Sequence, residues 1–242
     1  NPGPQLVARC HEQGIAVMAM IATVEDARSV ADAGVDIVVA QGSEAGGHRS
    51  TWRKRPSSSE AADGTMALVP QEVDAVRGPV VPAGGIADGR GVVAALALGA
   101  SGVMLGTRFV ACRESSAPAM YKEALLRAGS SDTAITDAFT GLYARSLRNT
   151  FAREYDASGA PVLPSLLQAS AADDIYRAAA AIGNAEYYPL WSGQSVGLVS
   201  NVPGAAEIVE AIMREAGQAL GVLTSHFSGL LADTADAARA AR

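Results

Sequence analysis

Cysteine is scarce in this chain. Cys10 and Cys112 are the only two in 242 residues, and they lie far apart without metal-type spacing, which excludes a disulfide framework and a zinc site. The expectation is a reducing, cytoplasmic setting. Lysine is as scarce, with Lys54 and Lys122 alone, and 19 basic against 25 acidic residues leave a net charge of −6. No polybasic surface is available for nucleic acid. Long apolar runs are missing too. The longest, "GVVAALALGASGVML" at 91–105, is broken by glycines and a serine and falls short of the roughly 20 residues that cross a bilayer, so no membrane partner is expected. No signal sequence is expected, and the chain shows no short-period repeat and no low-complexity linker. The opening "NPGPQLVARC" has neither an initiator Met nor a strand and reads as entry in mid-fold, the mark of a fragment.

Alternating apolar runs and helical patterns are present. "GIAVMAMIA" (14–22) predicts a strand and "TVEDARSVADAG" (23–34) a helix, with Thr23 and Asp26 as a capping box and Gly34 as its stop. "VDIVVAQ" (35–41) is too continuously apolar to be half exposed, as in a parallel sheet covered on both faces. A polar loop (42–65), a helix (66–78), a strand (79–86), a helix capped by Asp88 (88–100) and a fourth strand (101–110) follow. Four βα repeats of this length imply a parallel α/β sheet, open or closed into a barrel. Beyond residue 110 the alternation stops. Helices are expected at 117–129 and 162–182, with an irregular stretch around "ITDAFTGLYARSLRN", a last amphipathic helix over "GAAEIVEAIMREAGQAL", and fraying from about residue 230.

Glycines gather where the strands end: "AGG" at 45–47, "AGG" at 83–85 and "LG" at 105–106. This is the edge where α/β enzymes place their sites. Glycine lets backbone amides approach a phosphate, and the helix after Asp88 would point its positive end to the same place. Gly84, Gly85 and Gly106 together therefore predict a phosphate-bearing ligand, although each alone could simply permit a turn. His48 follows the first of these glycine pairs. An imidazole there can project over a bound ring and take a proton at neutral pH; His11, on a polar helix face, and His226, near the C-terminus, do not compete. The run Arg49, Arg53, Lys54, Arg55 is either a solvated loop or a contact for an anion. Neither a nucleophile elbow nor a Rossmann glycine fingerprint is present.

In order along the chain, "VVAQGSEAGGHRSTW", "VVPAGGIADGRG", "GVMLGTRFVACRES" and "LWSGQSVGL" resemble the nitronate monooxygenase family, formerly the 2-nitropropane dioxygenases. "EAGGH" and "GGIADGRG" also resemble flavin-dependent enoyl reductases and NAD(P)H:quinone reductases, which share the scaffold; "RSTW" and "PLWSGQSVGL" favour the monooxygenases. The resemblance implies a TIM-type barrel binding FMN, with a mainly helical substrate domain after the last strand. Residues 1–115 would be the C-terminal half of the (βα)8 barrel, 116–200 the substrate or lid domain, and 201–242 a returning helix and tail. Gln41 and Gly46 would contact the flavin, Gly84 and Gly85 its phosphate, and Met104, Leu105, Gly106 and Thr107 would complete the cradle. Gln194 would close the site from the second domain. His48 would be the catalytic base for a neutral nitroalkane, or would stabilise the charge of a nitronate. The implied reaction oxidises alkyl nitronates with dioxygen to a carbonyl compound and nitrite, without metal.

Family members carry about four further strand–helix units before the point where this chain starts. Four strands do not close a barrel and leave unpaired edges. A complementing N-terminal half, or another copy in a homo-oligomer, would have to supply the rest. Two alternatives stay open: an FMN-dependent NAD(P)H reductase of enoyl thioesters or quinones, and an inactive fragment of such an enzyme.

Overall fold

A computed structural model of the chain describes residues 2–50, 63–165 and 167–240, as backbone only from residue 230. Arg53, Lys54 and Arg55 of the basic run, and Thr51 and Trp52 of the "RSTW" segment, lie outside the described residues.

The architecture is α/β. After helix α1 (Pro4–Glu12), strands β1 (Met18–Ile21), β2 (Ile37–Gln41) and β4 (Val80–Ala83) form a parallel sheet in the order β1-β2-β4. Ile21 pairs with Ala40 and Gln41 with Ala83, so the strands end level with one another. Val38, Val39 and Ala40 are almost wholly buried, as the unbroken apolar run requires of a strand covered on both faces. Helix α2 (Val24–Asp32) starts at Thr23, whose hydroxyl accepts the Asp26 amide, and the chain leaves it through Gly34 at φ 90°. Helices α3 (Thr65–Ala75) and α4 (Gly89–Ala97) follow β2 and β4. Together with the strands they enclose a cluster built on Ala40, Leu68, Val69, Val80, Ile86 and Ala95.

The expected fourth strand over 101–110 is not formed. Only Met104 bridges, in parallel, to Ala83. Gly106 then opens a single helical turn, α5 (Thr107–Val110), which turns the apolar run away from the sheet.

The stretch around 135–149, expected to be irregular, is an antiparallel sheet. Strand β5 (Thr133–Thr136) pairs with β6 (Ala144–Leu147), and β6 pairs with β3 (Gly47–His48). A strand from inside the polar loop 42–65 therefore joins the second layer. Around this sheet lie α6 (Ala119–Arg127), α7 (Thr150–Ser158), α8 (Leu167–Ala171) and α9 (Asp173–Ile182). The helix expected over 162–182 is two shorter ones, and α7, started by the Asn149 side chain accepting the Ala152 amide, was not foreseen. Phe139, Phe151 and Tyr176 form the aromatic centre of this layer, with Phe139 and Phe151 stacked at 5.2 Å.

Helix α10 (Ala205–Ala240) continues through the region where fraying was expected. Its Ile208, Ile212 and Ala216 pack on Val92. Gly89 permits this crossing, because a Cβ there would run into the backbone of Glu215 and Ala216. Among the described residues no helix is long and apolar enough to cross a membrane.

Candidate active site

The ends of the parallel strands open into one cavity of about 220 Å³ with mostly apolar walls. Gln41, Gly46, Gly84, Met104, Gly106 and Thr107 all line it, so the three glycine-bearing turns meet on one side of the molecule. Leu105 turns the other way, into the packing between α3, α4 and α10. Gly85 and Gln194 adjoin the lining residues Gly84, Gly193 and Ser195 without lining the cavity themselves. Gln194 is fixed by its amide, which donates to the Glu44 carbonyl at 2.9 Å, while its neighbours Gly193 and Ser195 face the cavity. Trp191, Met20, Ile86 and Val110 supply the larger side chains of the lining. Trp191 and Gly193 sit inside the "LWSGQSVGL" motif and could have been read from it. Met20 and Val110, ordinary apolar residues, gave no such signal.

Close backbone approaches hold these turns together. Gly46 lies against Ser192 and Gly193, and Gly193 in return lies against Glu44 and Gly46. Gly193 donates its amide to the Thr107 hydroxyl at 2.9 Å, which ties the C-terminal motif to the turn after Met104. Gly84, at φ 114°, packs on Ala45. Gly46→Ala would bring its Cβ to 2.5 Å from the Gly193 nitrogen and the Ser192 carbonyl carbon. Both are backbone atoms that cannot swing aside, so the variant is expected to lose about 1–3 kcal/mol of stability, seen as a lower urea midpoint at unchanged slope.

The amides of Gly85, Gly106 and Thr107 donate to no other described residue. A Cβ at Gly47 or Gly106 would meet nothing within 4 Å, so both glycines border open space. The first turn of α4 differs from expectation. Its amides are already taken: Arg90 and Gly91 donate to Asp88, and Gly89 donates to Glu215 of α10 at 3.1 Å. An anion at the strand ends would therefore be held by the glycine turns and not by the positive end of this helix. Glu44 caps α3 from a distance, accepting from the Thr65 amide and hydroxyl at 2.9 Å each. Arg49 likewise folds back, donating to the carbonyls of Gly42 and Gln41 at 2.7 and 3.2 Å.

His48 stands beside the cavity on β3. Gln41 fixes its backbone: Gln41 Nε2 donates to the His48 carbonyl at 2.8 Å, and Gln41 Oε1 accepts the Ser50 amide at 2.7 Å. Most of the polar capacity of this buried glutamine is thus spent on positioning the His48 segment. The ring of His48 lies 5.2 Å from that of Trp191, tilted by 43°, and its Nε2 is 2.8 Å from Thr140 Oγ1. Partial desolvation holds the imidazole below its usual pKa, so at neutral pH it is uncharged and able to accept a proton. Arg145 of β6 links the two layers, donating to the Ser43 carbonyl at 2.9 Å and the Thr133 hydroxyl at 3.0 Å.

The family model described as nitronate monooxygenase matches residues 1–215. The chain belongs to the nitronate monooxygenase family. It is 38% identical over 217 residues to a probable nitronate monooxygenase of Staphylococcus saprophyticus, and 39% identical over the same length to one of Staphylococcus aureus; each alignment covers 90% of this chain and 61% of the relative. The chain thus spans about three-fifths of the length of these relatives. Among solved structures it is similar to a nitroalkane oxidase from Streptomyces ansochromogenes, with TM-score 0.86 and 38% identity over 92% of this chain and 63% of that one. It is also similar to FabK from Thermotoga maritima, with TM-score 0.78 and 36% identity over 93% of this chain and 68% of that one.

Proposed function

We propose that this chain is the catalytic part of an FMN-dependent nitronate monooxygenase that oxidises alkyl nitronates with dioxygen to a carbonyl compound and nitrite. The observation that carries the reading is the meeting of the glycine turns at one apolar cavity, with His48 beside it against the lining residue Trp191. Open space at Gly47 and Gly106 leaves room for a flat ligand against the backbone, and the uncommitted amides of Gly85, Gly106 and Thr107 suit a phosphate. Gly84, Gly85, Gly106 and Thr107 would hold the phosphate end of FMN. Gly46, Met104 and Trp191 would flank its ring. When bound, the flavin supplies the electron transfer between substrate and dioxygen. The protein orients the substrate and keeps water out between Met20, Val110 and Trp191. His48, neutral at working pH, takes the α-proton of a nitroalkane; with a nitronate already formed, that step is not needed.

The cavity is smaller than the roughly 300–1,000 Å³ typical of small-molecule sites, which fits a ligand covered further by segments that the longer relatives carry. In this reading residues 1–115 are the second half of an eight-stranded barrel, with β1 and the Met104 segment as its open edges. Residues 116–200 are the substrate-side domain, and 201–242 return to the barrel. A small-molecule substrate and dioxygen are the partners, and the cytoplasm is the setting.

An absorbance spectrum of the purified protein under nitrogen tests the reading. It should show bound flavin that is bleached by propionate nitronate without any nicotinamide. Bleaching by NADH and not by nitronate would transfer the protein to the reductase reading. Gly106→Ala tests the cradle separately. The added methyl meets no protein atom, so the urea midpoint should hold while flavin binding weakens about tenfold, roughly 1.4 kcal/mol. Unchanged flavin affinity would remove Gly106 from the cofactor site.

A further inference from the structure

We infer that Thr140 sets the tautomer of His48, with the proton on Nε2, so that Nδ1 is the atom that accepts a proton from substrate. The inference rests on His48 as the base of the proposed reaction. Thr140 itself is a positioning residue.

Thr140 lies in the turn between β5 and β6. Its neighbour Phe139 is 1% exposed, and the turn is closed by the Gly141 amide donating to the Asp137 carbonyl at 2.8 Å. Gly141 has φ 76°, and a Cβ there would collide with the Leu163 carbonyl, so the turn cannot readily shift. The hydroxyl it presents is surrounded by three groups: His48 Nε2 at 2.8 Å, the Leu142 carbonyl at 3.4 Å and the Leu142 amide at 3.4 Å. A hydroxyl carries one proton and two lone pairs. If it donates to Nε2, the Leu142 carbonyl loses its donor and one lone pair of Oγ1 stays unused. If instead Nε2–H donates to Oγ1, the hydroxyl accepts from Nε2 and the Leu142 amide and donates to the Leu142 carbonyl. All three of its bonding positions are then filled. The second arrangement leaves Nδ1 without a proton, and Nδ1 bonds to no other described residue.

The ring is thus held as the catalytic histidine of an acid–base pair must be, with one nitrogen fixed by a neighbour and the other left basic. In the reaction the α C–H bond of a neutral nitroalkane breaks and its electron pair passes into the nitro group, giving the nitronate. The proton goes to Nδ1. The imidazolium that results keeps its Nε2–H on Thr140.

Protein labelled with 15N-histidine tests this directly, because the chain has only three histidines, His11, His48 and His226, and His48→Asn identifies the resonances of His48. In the flavin-loaded wild type, at a pH where the ring is neutral, Nε2 should show the protonated shift and Nδ1 the unprotonated one. Thr140→Val should convert the pattern to a mixture of tautomers, and Thr140→Ser should restore it. A wild-type ring protonated at Nδ1 would overturn the inference, as would a pattern unaltered in Thr140→Val; the wild-type spectrum decides even if the valine variant fails to fold. In turnover, Thr140→Val should lower kcat on nitroethane by about tenfold or more with KM little changed. Serine should recover it. If the tautomer shifts as expected and the rate on nitroethane does not, His48 is not the base, and the assignment of Thr140 stands.

Discussion

Asparagine in place of His48 is expected to leave flavin bound and to slow turnover of neutral nitroethane by about two orders of magnitude or more, the range of a lost general base. Turnover of pre-formed ethyl nitronate should fall by less than about tenfold, because that substrate has no proton left to remove. The contrast between substrates is the informative part. The side chain of His48 meets Trp191 and Thr140, while the proposed phosphate cradle at Gly84, Gly85, Gly106 and Thr107 lies on other turns, so losing the ring is expected to leave the cofactor bound. Steady-state kinetics on both substrates, with flavin content measured on each preparation, checks this. Equal losses on the two would assign His48 to binding or charge stabilisation.

A second large effect is expected at a residue outside the cavity lining. Glu72 of α3 is 0% exposed, and neither carboxylate oxygen has a hydrogen-bond partner. Burial, reinforced by the charges of Asp26 and Asp63, pushes its pKa up from 4.5 to about 8. The folded protein therefore keeps a proton on Glu72 that the unfolded chain has released. Between pH 4.5 and about 8 the unfolded state binds fewer protons, so stability must fall as pH rises. Below that window the contribution is fully present; above it the loss is complete. Glu72→Leu should raise stability at pH 8 by about 2 kcal/mol or more, with a smaller gain at pH 5. Glu72→Gln should flatten the pH dependence even if its amide stays unpaired. Urea unfolding at both pH values measures each. A wild-type stability that does not decline from pH 5 to 8 would mean that Glu72 finds a partner in solution.

The parallel sheet could be read from the chain because its strands are continuous apolar runs ending in glycine, and "VDIVVAQ" has no other sensible place than a doubly covered strand. The second sheet could not. β3 is two residues long, too short for any period, and all four residues of β6, Arg145 included, are buried, so the alternation that marks a half-exposed strand is absent. "SGVMLGTRFV" misled for the opposite reason: its composition suits a strand, but Gly106 starts a helical turn halfway along it. Within the site, the glycine turns and His48 stood out because their residue types suit the chemistry proposed for them. The commitments of Gln41 to the His48 backbone, and of Glu215 to the first turn of α4, depend on contacts between distant segments. No local pattern announces them.

His48 is gripped from two directions, its main chain by the glutamine that ends β2 and its ring by a turn between β5 and β6. The imidazole proposed as the base is therefore a joint between two layers, whereas the glycine turns proposed to hold the cofactor belong mainly to one. Rebuilding the 133–147 hairpin would consequently change what stands beside the cavity while leaving the glycine turns at the strand ends as they are.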